Sequence, residues 1–184
     1  CAGADKVIQK VKIFEKFSDS IKDFNYVIAT SNRERSQKKK EISFKKIKKI
    51  ISKNHKVAIV FGPEKSGLDN EDLSLCDYSI KINSNKKFSS LNLSHAVAIV
   101  CYNIYTLLLT KDDNKRINFL ENIAKKNELL SFYKILEKSL DKSNFFNVKE
   151  RKKITFQKIK NIFCKYKLRS DEVRTLISIF KKIS

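Results

Sequence analysis

The chain has 184 residues, enough for one domain or for one compact domain with an appendage, and at 41% hydrophobic it can bury a real core. Its 40 Lys and Arg against 20 Asp and Glu leave a net charge of +20, which points to a polyanionic partner or a membrane surface, although part of the excess is ordinary lysine on solvated helix faces. A membrane span is excluded, because the longest apolar run, Ala96 to Leu109, is broken by Tyr102, Asn103, Tyr105 and Thr106; a disulfide or metal framework is excluded too, because Cys1, Cys76, Cys101 and Cys164 show no CxxC and no His at ligand spacing.

In chain order, Val11–Ile13 and Tyr26–Ala29 read as short strands, with a short helix from Ser18 to Phe24 between them, Ser18 as its N-cap and Asp19 in its first turn. Glu41 to Ser52 carries Ile42, Ile47, Ile50 and Ile51 at helical spacing with lysines on the other face. Val57–Phe61 is a continuous apolar strand of the kind buried on both faces. Asn70 to Leu75 opens as a helix with an N-cap and the acids Glu71 and Asp72 in its first turn. Tyr78–Ile82 reads as a further strand and Asn92 to Leu109 as a helix. Such strand–helix alternation predicts an α/β domain with a mostly parallel sheet over about residues 1–110.

Lys111–Arg116 is a polar linker, assigned here as 111–117, and no strand signal follows it. Residues 127–140, 155–166 and 171–183 read as amphipathic helices, the last opening on Ser170-Asp171-Glu172, so 118–184 is expected to form an α-helical extension. Cys101, in the apolar run, and Cys164, on an apolar stripe, are expected to be small buried hydrophobes, as befits a reducing cytosol. His55 and His95 are read as structural.

The charge is clustered. Residues 33–56 hold 11 basic and 2 acidic residues, and residues 142–169 hold 10 basic and 1 acidic, net +9 in each case. In an open parallel sheet, ligands sit beyond the carboxyl ends of the strands. Three loops leave strands there: Thr30-Ser31-Asn32-Arg33-Glu34-Arg35, Gly62 to Leu68, and Asn83 to Asn92. Two of the chain's 3 glycines and its 1 proline stand in the second loop. Thr30, Ser31, Ser89, Ser90 and Asn92 offer neutral groups able to read an adenine edge, a ribose or a carboxylate, although Asn92 by itself would more often be a helix cap. Neither GxGxxG nor GxxxxGK[ST] is present. Glu64 stands where a pyrophosphate-binding loop needs bare amides, so the expected ligand is cationic or a neutral adenosine.

Phe61-Gly62-Pro63-Glu64…Gly67-Leu68 followed by Ser89-Ser90-Leu91-Asn92-Leu93-Ser94…Ala96-Val97 resembles the second and third motifs of the SPOUT (SpoU/TrmH-type) RNA ribose methyltransferases. Thr30-Ser31-Asn32-Arg33-Glu34-Arg35 is similar to the Thr-Ser-x-Arg-x-Arg loop of the TrmJ branch, which methylates a ribose 2′-hydroxyl in the tRNA anticodon loop. The tail resembles the same branch through Phe132-Tyr133…Leu136-Glu137…Leu140, Ile159…Ile162-Phe163 and Glu172-Val173-Arg174-Thr175-Leu176.

The resemblance implies a SPOUT-type parallel sheet with a C-terminal deep trefoil knot, the segment from about Phe88 through Leu109 threading an earlier loop. It implies S-adenosyl-L-methionine held by Thr30, Ser31, Asn32, Gly62, Ile82, Ser89, Ser90 and Leu91. By position Glu64, Ser90 and Asn92 are its active-site residues, and the assembly is a cytoplasmic homodimer without metal. Arg33 and Arg35 are expected to meet RNA. Lys38, Lys39 and Lys40, with Lys152, Lys153 and Lys158, are expected to hold the tRNA body. The family's catalytic arginine lies in an Asn-x-Gly…Arg first motif that residues 1–184 do not contain, so the chain as it stands is expected not to methylate. A binding paralogue of the same fold is the alternative expectation; a membrane or DNA partner ranks below both.

Overall fold

The computed structural model describes residues 5–31, 39–51, 53, 55–85, 91–109, 122–146 and 149–183. Two short helices, α1 (Asp5–Ile8) and α2 (Phe17–Ser20), precede β1 (Tyr26–Thr30). Then follow α3 (Phe44–Ile51), β2 (Val57–Val60), α4 (Asn70–Leu75), β3 (Tyr78–Ile80) and the long α5 (Leu93–Leu109). Three further helices, α6 (Lys126–Lys142), α7 (Lys149–Lys165) and α8 (Ser170–Lys182), close the chain.

The strands form one parallel sheet in the order β2-β1-β3. Tyr26 stands opposite Val57 and Ile28 opposite both Ile59 and Tyr78. The central strand β1 is buried from Tyr26 to Ala29, and its alternation sorts the core into two layers. Val27 and Ala29 face a layer built from Leu73, Leu75 and Cys76 together with Phe132, Tyr133, Leu136, Phe156 and Val173 of the last three helices. Ile28 faces the opposite layer, with Ile47 of α3, Ile80 and Val100 of α5. An aromatic group ties the helical segment together: Phe132 meets Phe163 edge-on at 4.9 Å between ring centroids and Phe180 at 5.9 Å.

Several expectations are corrected. Val11–Ile13 is not a strand, and Ile13 is 94% exposed; its alternation with lysines has no described neighbour to pair with, and an unpaired strand is not stable in water. β2 is half-buried along its length because it is an edge strand, so the doubly buried strand is β1. α2 begins after Lys16, with Ser18 inside the helix. The cap of α4 is Asp69, whose carboxylate accepts from Asp72 N at 2.7 Å. α8 is capped by Glu172, which accepts from Arg169 N at 2.7 Å. Cys101 is exposed, whereas Cys76 and Cys164 are buried. The linker assigned to 111–117 lies outside the described residues.

One interaction was not read from the sequence. Asp77, between α4 and β3, accepts from Val27 N at 2.7 Å, pairs with Lys126 Nζ at 2.6 Å and meets Lys167 Nζ at 3.0 Å. The Asp77 and Lys126 side chains are 2% and 3% exposed. Lys167 also lies over the Tyr26 ring at 3.8 Å from its centroid. Burial alone would push the Asp77 carboxyl up, but Lys126, Lys167 and the Val27 amide hold it below its ordinary value. Burial likewise opposes the Lys126 ammonium, and the Asp77 charge more than offsets it. The trio joins the α/β sheet to the starts of α6 and α8. Cutting Asp77 away would strand two buried ammoniums, a loss of about 3–5 kcal/mol for a broken buried pair.

Lys167 is pushed down to about 8 by burial, against an ordinary value of 10.5. Between those values the unfolded chain binds a proton that the folded chain has released, so this group's contribution to stability increases with pH across that window. The stability difference between the wild-type chain and Lys167→Met, from urea unfolding, is expected to grow in favour of wild type from pH 8 to 10.5. A difference that stays flat contradicts the assignment.

Candidate cofactor and RNA site

Because the three strands are parallel, Thr30, Val60 and Ile80 all end at one edge of the sheet. Cross-strand bonds fix that edge: Thr30 Oγ1 donates to Val60 O at 3.0 Å, and Ser31 N donates to Ile80 O at 3.2 Å. Ile82, two residues beyond β3, is half-buried against the Ile28–Ile47–Val100 layer.

The loop after β2 folds back on itself. Gly67 N donates to Pro63 O at 2.7 Å, and Gly67 has φ 66°, the left-handed region that favours glycine. A Cβ on Gly62 would lie 2.2 Å from Leu68 N and 2.4 Å from the Gly67 carbonyl carbon. Both contacts are backbone, so nothing can swing aside. Leu68 then enters the core and anchors the far end of the loop.

Glu64 links this loop to the next motif. Its Oε1 accepts from Leu93 N, the first residue of α5, at 3.3 Å. Asn92 supplies the rest of the cap: its Oδ1 accepts from Ser94 N at 2.9 Å and from Ser94 Oγ at 2.5 Å, while its carbonyl accepts from Ala96 N at 3.0 Å. An anionic carboxylate at a helix N-terminus is favoured by the exposed amides and the helix dipole. The ordinary cap reading of Asn92 therefore holds in the structure, and Glu64 shares the work. Glu64 of the first motif and Asn92 of the second thus meet at one helix start. Leu91 is half-buried just before that cap.

Asn32, Arg33, Arg35, Lys38, Ser89 and Ser90 lie outside the described residues. Lys40 is exposed, whereas Lys39 turns its Nζ to Ser74 O at 3.1 Å. On the helical segment Lys152 pairs with Asp141 at 2.7 Å and Glu137 at 3.5 Å, Lys153 pairs with Glu71 at 2.8 Å, and Lys158 is exposed. The residues that sequence reasoning missed are Asp77, Lys126 and Lys167. Their only sequence signal was an acid inside the apolar stretch Leu75-Cys76-Asp77-Tyr78. Among the described residues no group of three His, Cys, Asp or Glu is placed to hold a metal ion, and no helix is long and apolar enough to cross a membrane.

An open parallel sheet with Gly-Pro and small polar loops gathered at one edge is the architecture of an α/β ligand-binding protein. The SpoU rRNA Methylase family model matches residues 1–102, and the chain belongs to that family. It is similar over nearly its whole length to proteins named TrmJ. The chain is 32% identical to the tRNA (cytidine-2′-O-)-methyltransferase TrmJ of Methanocaldococcus jannaschii, covering 97% of this chain and 77% of that protein. It is 29% identical to the tRNA (cytidine/uridine-2′-O-)-methyltransferase TrmJ of Escherichia coli strain K12, with 99% and 76% covered. The crystal structure of TrmJ from Z. mobilis ZM4 superposes with a TM-score of 0.87 at 30% identity, covering 99% of this chain and 77% of that one.

Gly62→Ala is expected to lower stability by about 1–3 kcal/mol, the usual range for forced overpacking, and to speed amide exchange at Leu68. Unchanged unfolding and exchange would show that the loop lies further from Gly62 than the structure places it.

Proposed function

We propose that the chain provides the cofactor pocket and RNA-binding surface of an S-adenosylmethionine-dependent tRNA 2′-O-ribose methyltransferase acting on cytidine or uridine in the anticodon loop. The observation that carries this reading is the wall made when Glu64 of the Gly-Pro-Glu loop meets the start of α5. Membership of the SpoU family and likeness to proteins named as tRNA 2′-O-methyltransferases support it.

The residues present fit the cofactor. The missing Cβ at Gly62 lets the loop close on Gly67 and Leu68, which holds its backbone at the sheet edge where a nucleoside is proposed to lie. Thr30, Ser31, Asn32, Gly62, Ile82, Ser89, Ser90 and Leu91 would hold S-adenosylmethionine, which supplies a methyl group carried on a sulfonium. The Phe88–Leu109 segment is proposed to thread a trefoil knot around it. The chain's own part is positioning, since aligning two reactants is worth on the order of 7–11 kcal/mol at best. Glu64 and Asn92 set the start of α5, and Ser90 is proposed to orient the ribose. The described arginines, Arg151, Arg169 and Arg174, all lie in the helical segment. By resemblance, the catalytic arginine that the family carries in its first motif is proposed to assist activation of the ribose hydroxyl.

Arg33, Arg35, Lys38, Lys39, Lys40, Lys152, Lys153 and Lys158 are proposed to serve the RNA, with residues 1–110 as core, 111–117 as linker and 118–184 as helical extension, in the cytoplasm. Lys152 and Lys153 sit in solvent-facing ion pairs, which are worth little and exchange readily for phosphate. A homodimer is supported by α5, an apolar helix whose only buried residue is Val100. Tyr102, Tyr105, Leu108 and Leu109 on it are exposed, as are Val7, Ile8 and Val11 near the start of the chain. Exposed apolar side chains such as these are what a dimer interface would cover.

The direct test uses bulk tRNA, labelled S-adenosylmethionine and the chain joined upstream of Cys1 to the first-motif segment of a relative. Label on an anticodon-loop 2′-oxygen is expected, with none from residues 1–184 alone. Label on a base, or no cofactor binding at all, overturns the reading and favours a binding paralogue. For the dimer, sedimentation is expected to give twice the chain mass for wild type and a monomer for Tyr105→Glu; a monomeric wild type removes the dimer from the account.

A further inference from the structure

The tripeptide Lys38-Lys39-Lys40 reads in sequence as one phosphate-binding patch, yet the structure divides it. Lys40 is exposed. Lys39 is half-buried and its ammonium is engaged with an interior carbonyl, Ser74 O at 3.1 Å. Ser74 is wholly buried in the last turn of α4, where carbonyls lack intrahelical donors and need an outside partner. The neighbouring Leu73 carbonyl already accepts from Cys76 N at 3.1 Å. A second group reaches the same Ser74 oxygen: Cys164 Sγ of α7, at 3.5 Å. Tyr133 Oη of α6 lies 3.6 Å from that sulfur. Ser74 O is thus a junction of α4, α7 and the chain that carries Lys39.

The backbone around Lys39 is held at the same place. Ser79 N donates to Lys40 O at 3.1 Å and Ile42 N donates to Ser79 O at 2.9 Å, forming a parallel bridge between Glu41 and Ser79 on the outer edge of β3. On the inner edge of β3, Ile80 O accepts from Ser31 N. Two adjacent residues of β3 therefore hold both flanks of the stretch whose sequence carries Arg33 and Arg35.

We propose that Lys39 is a positioning residue for RNA rather than a phosphate contact: by filling the Ser74 carbonyl that Cys164 also reaches, it sets where the chain beyond the Thr30-Ser31 edge rejoins the sheet and couples that stretch to the helical segment. Lys40, one residue on, faces solvent and meets phosphate. This rests on the RNA methyltransferase reading for its consequence but not for its geometry.

The test compares Lys39→Met, Lys39→Gln and Lys40→Met in the 184-residue chain, reading tRNA affinity against salt, S-adenosylmethionine affinity, and amide exchange at Ile42 and Ser79. Lys39→Met is expected to weaken tRNA binding by about tenfold or more, that being the lower bound for the loss of one hydrogen bond to a charged group. Its salt slope and cofactor affinity stay unchanged while Ile42 and Ser79 exchange faster. Lys39→Gln, which keeps a donor, falls between Lys39→Met and wild type. Lys40→Met lowers the salt slope by about 0.7–0.9, the share of one phosphate contact. A lower salt slope for Lys39→Met makes Lys39 a direct contact and overturns the inference, as does unchanged exchange with unchanged affinity. If wild type itself fails to bind tRNA, the methyltransferase reading and the RNA role of Lys39 fail together, and faster exchange at Ile42 and Ser79 in Lys39→Met then supports only its hold on the chain beside β3. Should Lys39→Met not fold, Lys39→Gln decides by the same readings.

Discussion

The structure hangs on one buried carboxylate. Asp77 holds Val27 N of the central strand, Lys126 at the start of α6 and Lys167 beyond α7, all within 3.0 Å. Charges are expensive to bury singly and are tolerated only in close, hydrogen-bonded company, so this trio admits few alternatives for how the helices meet the sheet. The apolar layer around Phe132 supplies the bulk of the attraction. Asp77 supplies direction, because hydrophobic burial alone would accept many rotations of a helical segment on a flat face. Whether such a pair adds net stability is secondary to the register it imposes.

That register reaches the functional edge through α4. Its last turn carries Ser74, which receives Lys39 from one side and Cys164 from the other, and Asp77 follows one residue after its end, beyond Cys76. The helix begins just after the Gly62–Leu68 loop, whose own closure depends on Gly62 lacking a Cβ. A short helix of six residues therefore stands between that loop and the buried charges. Glu64 then passes the constraint across to α5. The proposed cofactor edge and the proposed RNA surface are mechanically adjacent, although their residues are far apart along the chain.

Much of this was legible in the sequence, for definite reasons. β1, α3, α4, α6 and α8 were read within a few residues because apolar periodicity and first-turn acids are local signals, whereas α7, read from 155, begins at Lys149. The Gly-Pro-Glu and Ser-Leu-Asn stretches were legible because glycine and proline are so scarce here. Val11–Ile13 misled, since its alternation is a strand signal only when a neighbour exists to pair with. β2 looked doubly buried because an apolar run does not report whether the strand is central or at the edge. Lys39 could not be told from Lys40, and Asp77 could not be matched to lysines 49 and 90 residues away, because sequence patterns carry no record of long-range pairing. The motifs carried the resemblance to the SpoU family; only the structure showed that Glu64 and Asn92 meet at one helix start.

The central claim is that the Gly-Pro-Glu loop and the start of α5 are two walls of one pocket for S-adenosylmethionine. Amide chemical-shift mapping of the labelled chain with S-adenosylmethionine tests it most directly. The account predicts saturable shifts concentrated at Ser31, Gly62, Ile82 and Leu91, with Tyr133 and Val173 in the helical layer undisturbed. Shifts confined to the helical layer, or none at saturating cofactor, would contradict it.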